Sequence, residues 1–343
     1  MDLGQFEVFD RWGAMMKKAL VIGVDDYPTA PLMGCVNDAV AIAELLENDG
    51  NGDPNFSVIK LVSNEQKVSS ESLINAVSDL FSGEADTALL YFAGHGIIVP
   101  ETNAGYIVSS DGHRGAWGAS LSEILGLANK AHPKIKSCVI ILDCCHSGYA
   151  GEVAGVEGNA SAIGTGVTIL TASHREGGAM EEDGRGIFTD ILLDGLRGGC
   201  SDILGNITPA AIYSHVDQTL GPWEQRPMYK ANVQHFVTLR KVEPKVPKDV
   251  LRRLVTYFPN KTDVFALDPS FEPDRTNIPE EYRHLPVNSE NVKIFKELQK
   301  CNRYGLVVPV DADHMFYAAI NSTGCKLTGL GAHYRKLAEM KRI

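Results

Sequence analysis

Two adjacent cysteines, Cys144 and Cys145, directly follow the apolar run 138–143, which reads CVIILD. A short, β-branched run of this kind predicts a buried β-strand. Reactive thiols are commonly placed at the carboxyl end of a strand, where a sharp turn exposes the sulfur beside backbone N–H groups. The stretch DCCHSG therefore predicts a thiol nucleophile. We interpret His146 as structural, because successive residues at such a turn rarely point together.

A second loop, AGHG, follows the apolar run 87–93 and contains His95. If both runs are parallel strands of one sheet, both loops emerge at the same carboxyl edge. The glycines beside His95 would let a substrate backbone pass close to the imidazole. This arrangement favours His95 as the acid/base partner of a thiol.

Each loop also has a plainer interpretation. A single histidine after a strand is more often structural than catalytic, and adjacent cysteines are often simply buried. Zinc is disfavoured, because adjacent cysteines seldom bind one ion together and no C-x-x-C or H-x-x-x-H spacing lies near them. The two loops together favour thiol chemistry, and the sequence predicts no metal at this site.

The motifs AGHG and DCCHSG together resemble those of the metacaspase and orthocaspase branch of the caspase-like cysteine peptidases. The likeness covers about residues 18–239 and extends to GVDDY, LMGCVNDA and EQRPMY. His95 lies 50 residues before Cys145, a separation typical of caspases. The resemblance implies that Cys145 rather than Cys144 is the nucleophile and that His95 is its partner in a Cys-His dyad.

The resemblance also implies an oxyanion hole and a specificity pocket. Backbone N–H groups of Gly96 and Cys145 would hold the developing oxyanion. Asp143 of the DCCHSG motif and Asp38 of the GCVND motif would line the primary pocket, with Cys35 nearby. Two carboxylates select Arg or Lys and repel Asp, so we expect cleavage after basic residues.

The pocket residues have alternative structural roles. Asp38 is also typical of an acid that stabilises a helix N-terminus, and Asp143 of a helix cap. Either role is compatible with substrate binding. Ala93 stands where related enzymes often have Ser, which removes one polar contact from the expected pocket.

Activation is expected to differ from that of many relatives, which are switched on by calcium or by cleavage between two halves. The segment 149–166 contains no Arg or Lys, so the enzyme would not cut itself there. Only Glu123 stands where calcium-dependent relatives carry paired acids, although Glu152 and Asp111 are further candidates. We therefore expect no cofactor, disfavour calcium activation, and expect control by residues 243–343 or a partner protein.

Strands and helices alternate along most of the chain, which predicts a caspase-like α/β fold with a mainly parallel sheet flanked by helices. The apolar runs predict strands at 19–24, 57–62, 87–93, 138–143, 167–172 and 235–239. The helical spacing of apolar residues predicts helices at 37–47, 72–81, 121–131, 188–196 and 209–220.

We predict four segments: an N-terminal extension at 1–17, the peptidase domain at 18–242, a linker and irregular segment at 243–287, and a small domain at 288–343. The linker is inferred from its prolines and weak periodicity. In the last segment a helix, the runs MFYAAI and CKLT as a hairpin, and a terminal helix predict a winged-helix-like α+β domain.

The composition limits the classes of protein to which this sequence can belong. No run approaches the roughly 18 consecutive apolar residues that a membrane-spanning helix needs, and the acidic start is unlike an export signal. The seven cysteines are scattered and odd in number, which is typical of reduced thiols and favours a cytoplasmic location. The substrates expected are proteins or peptides containing Arg or Lys, with no membrane partner.

Two other functions are weighed against a peptidase. A catalytically silent, caspase-like scaffold would bind partners without cutting them, but both dyad residues are present. The segment 246–343 has 15 basic and 12 acidic residues, a net charge of +3, and a winged helix there could bind nucleic acid. DNA-reading modules usually carry a stronger basic stripe, so nucleic acid is disfavoured as a partner.

Overall fold

The computed structural model describes residues 16–144, 163–172, 181–182, 185–222, 226–274, 278 and 280–343. The chain divides into two compact units: the first is Met1–Ser201 with Asn206–Val242, and the second is Asp202–Gly205 with Glu243–Ile343. Of the predicted extension at 1–17, only Met16 and Lys17 lie within the described residues.

The first unit alternates strands and helices. In chain order its elements are β1 (Lys17–Gly23), α1 (Cys35–Glu47), β2 (Ser57–Val62), α2 (Ser70–Leu80), β3 (Ala85–Ala93), β4 (Gly96–Val99), β5 (Ala104–His113), β6 (Ala116–Ser120), α3 (Leu121–Ala131), β7 (Ile135–Asp143), β8 (Val167–Thr171), β9 (Glu181–Glu182), β10 (Arg185–Gly186), α4 (Ile187–Asp194), β11 (Asn206–Ile207), α5 (Pro209–Leu220), β12 (Met228–Asn232) and β13 (Arg240–Lys241). Among the helices described in both units, none is long and apolar enough to cross a bilayer.

The central sheet has six strands in the order β12-β8-β7-β3-β1-β2. Strands β2, β1, β3, β7 and β8 are parallel to their neighbours, and β12 at the edge runs antiparallel to β8. The predicted mainly parallel α/β sheet is therefore confirmed.

Both faces of this sheet are buried, as parallel strands require. Leu20 and Ile140 pack on the face covered by α2 and α3, whereas Val21 and Ile141 pack on the face covered by α1, α4 and α5. Successive strand residues point to opposite faces, so the continuous apolar runs fill two cores at once. Each fully buried Leu, Ile or Val contributes about 1.5–3 kcal/mol to folding.

Five of the six predicted strands are present, but the strand predicted at 235–239 is wrong. Val237 and Leu239 are buried there while Phe236 is 70% exposed, an alternation that imitates a strand. The sixth strand is β12 (Met228–Asn232), seven residues earlier in sequence by its first residue. Its polar composition, MYKAN, is typical of a sheet edge and gave little periodicity to detect.

A separate antiparallel sheet, β4-β5-β6, lies between β3 and α3 in the chain. It was not predicted, because its glycine-rich strands are only partly buried and lack a continuous apolar run. Strands β5 and β6 contact α2 and α3. This small sheet begins immediately after His95, so it forms part of the surroundings of the predicted base.

The order of the strands creates a crevice at their carboxyl ends. The connection after β1 runs through α1 on one face of the sheet, whereas α2, which leads into β3, packs on the opposite face. Ligand sites in open α/β sheets lie outside the carboxyl ends of strands at such a switch point. The loops that follow β1 and β3 border this switch point, and β7 is the next strand beyond β3.

The second unit has a core of its own, which includes Leu251, Leu254, Phe258, Phe295 and Leu298. Its sheet is antiparallel and has the order β14-β16-β15. The elements are α6 (Lys248–Tyr257), β14 (Val264–Ala266), α7 (Ser289–Arg303), β15 (Val307–Val310), α8 (Met315–Ile320), β16 (Gly324–Leu327) and α9 (Gly329–Glu339).

Two predictions for this unit differ from the structure. The segment 243–287, predicted as linker, contains helix α6 and strand β14; Pro247 precedes α6 and is better explained as a helix-start signal than as a linker residue. The run MFYAAI, predicted as a strand, is helix α8 (Met315–Ile320), because six apolar residues do not distinguish a strand from a short buried helix. The winged-helix-like architecture stays a prediction.

Candidate active site

The loops that carry the predicted nucleophile and base leave the sheet side by side. Strands β3 and β7 are neighbours, and Ala93, the last residue of β3, is paired in register with Asp143, the last residue of β7. The Gly94 N–H donates to the Asp143 carbonyl oxygen at 3.3 Å. Cys145, with His146 after it, lies outside the described residues, so the position of its sulfur stays a prediction.

His95 is held by three hydrogen-bonding contacts and one ring contact. Its backbone N–H donates to the Tyr27 hydroxyl at 2.9 Å, and its carbonyl oxygen accepts the Val108 N–H at 2.9 Å. The imidazole Nε2 lies 2.7 Å from the Ala30 carbonyl oxygen. The rings of His95 and Tyr27 are in contact, with centroids 4.5 Å apart. The half-buried imidazole is therefore fixed in position and orientation.

The contact with Ala30 determines what the imidazole can do. A carbonyl oxygen only accepts hydrogen bonds, so Nε2 of His95 carries the proton in the neutral ring. Nδ1 is then the atom that accepts a proton from a nucleophile. When the ring is protonated, the Ala30 oxygen stabilises the positive charge through the same hydrogen bond. This geometry suits a general base that becomes a general acid.

Several other cysteines are poor candidates for the nucleophile. Burial raises the pKa of Cys138, Cys301 and Cys325 to about 12, so these thiols stay protonated at neutral pH. Cys144 is also buried. The reactive thiol has to be sought among the remaining cysteines, of which Cys145 follows β7.

Asp38 and Asp143 come together at one backbone position. The Asp38 Oδ2 atom accepts the Gly186 N–H at 2.9 Å. A side-chain carbon built on Gly186 would lie 2.5 Å from Asp143 Oδ2 and 3.2 Å from Asp38 Oδ2. Asp38 is 1% exposed and Asp143 is 6% exposed. Burial penalises the ionised form of a carboxylate. Two buried carboxylates beside the same glycine therefore require nearby hydrogen-bond donors or a positive charge.

Two hydroxyl groups, those of Thr189 and Tyr91, form a hydrogen-bonded series that ends at the Asp143 carboxylate. Thr189 donates to Asp143 Oδ2 at 2.6 Å, and the Tyr91 hydroxyl lies 2.6 Å from the same Thr189 oxygen, to which it donates. Thr189 and Tyr91 are completely buried. Burial raises the pKa of Tyr91 well above its ordinary value, and the negative charges of Asp143 and Asp38 raise it further. The phenol therefore remains a donor to Thr189, which leaves the Thr189 hydroxyl to donate to Asp143.

The other predicted site residues that the structure describes belong to α1 and β4. Cys35 is the first residue of α1, one turn before Asp38, and its side chain is buried. Its backbone N–H donates to Asp25 Oδ1 at 2.9 Å. Gly96 is the first residue of β4, directly after His95, and pairs with Ile107. The structure thus brings Cys35, Asp38, Asp143, His95 and Gly96 to the carboxyl edge of the sheet.

Sequence reasoning missed four residues of the site. Tyr27 and Asp25 belong to the GVDDY motif that resembles the family, but that resemblance gave them no role. A polar pair in the loop between a strand and a helix is a signal that could have identified them. Thr189 and Tyr91 gave no such signal, because each lies within an element that reads as apolar core.

Metal ligands are not gathered in the described part of the chain. Among those residues, no three His, Cys, Asp or Glu side chains are grouped to hold an ion. Asp111 accepts hydrogen bonds from Ser70 and Ser109 at 2.7–3.2 Å, and Glu123 lies in the first turn of α3. Glu152 lies outside the described residues. Calcium dependence therefore stays an open prediction.

Comparisons with known proteins give one assignment. A family model described as "Caspase domain" matches residues 16–238. Protein GSU0716 from Geobacter sulfurreducens is 17% identical, with a TM-score of 0.47 over 66% of this chain and 98% of that chain. Caspase-1 from Spodoptera frugiperda is 12% identical, with a TM-score of 0.47 over 66% of this chain and 91% of that chain. No curated protein sequence matches. Because both TM-scores are below 0.5, the assignment to a family rests on the family model alone.

Proposed function

Because the chain belongs to the Caspase domain family of cysteine peptidases, we propose that it is an endopeptidase of the metacaspase and orthocaspase type that cuts after Arg or Lys. The observation that carries this proposal is the meeting of two buried carboxylates, Asp38 and Asp143, at Gly186. The pocket lies at the same sheet edge as His95. A positively charged substrate side chain would pair with these two carboxylates and balance their negative charge.

In the proposed reaction, His95 Nδ1 takes the proton of the Cys145 thiol and the thiolate attacks the scissile carbonyl carbon. The tetrahedral oxyanion accepts hydrogen bonds from the backbone N–H groups of Gly96 and Cys145. His95 then protonates the amine as the peptide C–N bond breaks, and water hydrolyses the thioester. Loss of one oxyanion donor typically lowers kcat about 100-fold or more.

The electrostatics explain the preference for basic side chains. A guanidinium or ammonium group entering the pocket pairs with carboxylates that folding has already desolvated, so the desolvation cost on binding is mainly that of the incoming cation. The carboxylate of an Asp substrate would meet the same charges at close range and be repelled. Charge therefore makes the enzyme prefer Arg and Lys over Asp. Arg is favoured over Lys where its planar guanidinium group reaches both carboxylates.

Regulation is proposed to come from the second unit or from a partner protein that binds residues 243–343. Support comes from the separate core of that unit and from the absence of Arg and Lys in 149–166, which removes sites for self-cleavage there. We propose activity without calcium or another cofactor. The scattered thiols support a cytoplasmic location.

The proposal is tested with fluorogenic peptides that end in Arg, Lys or Asp. The parent protein is expected to release the fluorophore from the Arg and Lys peptides, and Cys145→Ala is expected to abolish release. Cys144→Ala is the matched control, because it removes the adjacent thiol and should retain activity. Equal turnover by Cys145→Ala, or preference for the Asp peptide, would refute the proposal.

A further inference from the structure

The loop between β1 and α1, residues 24–34, contacts both parts of the candidate site. Tyr27 and Ala30 bind His95, and Asp25 binds the start of the helix that carries Asp38. These contacts come from a single short connection. The loop therefore links the position of the base to the position of the pocket.

Tyr27 fixes His95 through its hydroxyl group and its ring. The hydroxyl accepts the His95 N–H at 2.9 Å and donates to the Val108 carbonyl oxygen at 3.2 Å. Burial raises the pKa of Tyr27 well above its ordinary value, so the phenol keeps the proton that it donates. The Tyr27 ring also packs against the imidazole. One buried side chain therefore ties β5 to the His95 backbone.

The close approach of Tyr27 explains a glycine of the AGHG motif. A side-chain carbon built on Gly94 would lie 2.5 Å from the Tyr27 hydroxyl oxygen and 2.8 Å from Phe92 Cζ. Real side-chain carbons do not come so close to other atoms. Gly94 and Tyr27 are thus a matched pair, in which the absent side chain makes room for the phenol.

Asp25 performs the corresponding task for the pocket. Its carboxylate accepts the N–H groups of Cys35 at 2.9 Å and Val36 at 3.2 Å. Gly34 at the N-cap of α1 has no side chain to do so, and Asp25 supplies the missing cap from a distance. Asp38 lies in the first turn of this helix. Its location therefore depends on the position of the turn that Asp25 holds.

We propose that Tyr27 and Asp25 are positioning residues that act on different parameters of the reaction: Tyr27 on the proton-transfer step through His95, and Asp25 on substrate binding through Asp38. This inference rests on the proposed function. It goes beyond that function in assigning separate kinetic roles to two residues outside the proposed dyad and pocket.

The test compares Tyr27→Phe and Asp25→Ala in the full chain with an Arg peptide. Tyr27→Phe is expected to lower kcat about 10-fold with KM within about twofold, because misplacement of a catalytic group by even 1 Å is costly. It should also slow inactivation by iodoacetamide, which requires no peptide binding. Asp25→Ala is expected to raise KM about 10-fold with kcat within about twofold, and Asp25→Asn, which keeps a capping oxygen at the same side-chain length, should recover part of the loss.

Matched controls separate positioning from general stability. Tyr229→Phe removes the hydroxyl of a tyrosine whose ring stacks on Tyr213, and Asp26→Ala removes an exposed carboxylate beside Asp25. Both should behave like the parent. The inference is overturned if Tyr27→Phe and Asp25→Ala match these controls, or if the only effect of both is a fall in apparent kcat equal to the loss of folded protein measured by circular dichroism. Activity in His95→Ala or Cys145→Ala would instead overturn the proposed function.

Discussion

Asp38 and Asp143 are 105 positions apart in the sequence, yet their Oδ2 atoms lie within 3.2 Å of the position that a side-chain carbon on Gly186 would take. Asp38 is in the first turn of α1, and Asp143 ends β7. Gly186, the last residue of β10, reaches them from the second half of the first unit. The proposed pocket therefore depends on residues from α1, β7 and β10.

Substitution of Gly186 by Ala should block this pocket. The added carbon would lie 2.5 Å from Asp143 Oδ2, so one carboxylate must move. We expect kcat/KM for Arg peptides to fall at least about 10-fold, mainly through KM, as a substrate-positioning contact is lost. Steady-state kinetics measure the effect.

Gly126→Ala is the control for that variant. Gly126 lies within α3, and a side-chain carbon there meets nothing within 4 Å. Alanine should leave activity unchanged and raise the free energy of unfolding by about 0.5–1 kcal/mol, because glycine is unfavourable within a helix. Equal kinetics for Gly186→Ala and Gly126→Ala would contradict the pocket.

The support of Asp143 by Thr189 gives a second prediction. Thr189→Val keeps the shape but leaves Asp143 Oδ2 and the Tyr91 hydroxyl without their buried partner. We expect a loss of about 1–3 kcal/mol in the free energy of unfolding, measured with urea, and lower kcat/KM for Arg peptides. Thr219→Val, at an exposed position of α5, is the control and should cost less than about 0.5 kcal/mol. A neutral Thr189→Val would show that Asp143 needs no such support.

Thiol reactivity should follow burial. At pH 8 a thiol with a pKa of about 12 is ionised in roughly one molecule in 10,000, so Cys138, Cys301 and Cys325 should resist iodoacetamide in the native protein. Peptide mapping after brief labelling checks this and should find Cys145 modified first, at a rate reduced by His95→Ala. Fast labelling of Cys138 in folded protein would contradict the burial described here.

The same three thiols set a pH dependence of stability. Their pKa values rise on folding, so the folded state holds more protons than the unfolded state between about pH 8.5 and pH 12. Their contribution is present below about pH 8.5 and is lost as the pH rises toward 12. Urea unfolding at pH 8 and 10 should show lower stability at pH 10, and Cys138→Ala should reduce the difference. An unchanged difference would contradict this linkage.

Arg335 gives a prediction for the second unit. Its buried guanidinium, on α9, donates to the carbonyl oxygens of Phe258 and Pro259 at the end of α6 and pairs with Glu339. Arg335→Ala leaves those carbonyls without the donor and should lower the free energy of unfolding by about 2–4 kcal/mol. Arg335→Lys should recover little, because an ammonium lacks the planar fork. Thermal unfolding of the full chain measures both, and no change in Arg335→Ala would contradict the role.

The sheet was predictable because its strands are buried on both faces. Runs such as 19–24 and 138–143 are continuous, β-branched and bounded by turn residues, and each is a strand in the structure. Strand β12 was missed because an edge strand is stabilised by one neighbour and carries few apolar residues. The strand predicted at 235–239 was wrong because buried Val237 and Leu239 alternate without joining a ladder.

The candidate site was predictable only in its motifs. Asp38, His95 and Asp143 lie next to strand ends, and short motifs indicate such positions. Their partners are set by tertiary contacts: the Gly186 N–H reaches Asp38 across 148 residues, and Tyr27 reaches His95 across 68. No local pattern in one sequence indicates such pairings. The hydroxyl of Thr189 was likewise concealed within an apolar helix.

The most direct test of the account is to map by mass spectrometry the peptide bonds cut when the protein is incubated with a complex mixture of denatured proteins. Parallel incubations use Cys145→Ala and an Asp38→Asn, Asp143→Asn double variant. We predict new C-termini at Arg and Lys for the parent, none for Cys145→Ala, and at least about 10-fold fewer for the double variant. Cleavage after acidic residues, or cleavage after Arg and Lys that persists in Cys145→Ala, would contradict the account.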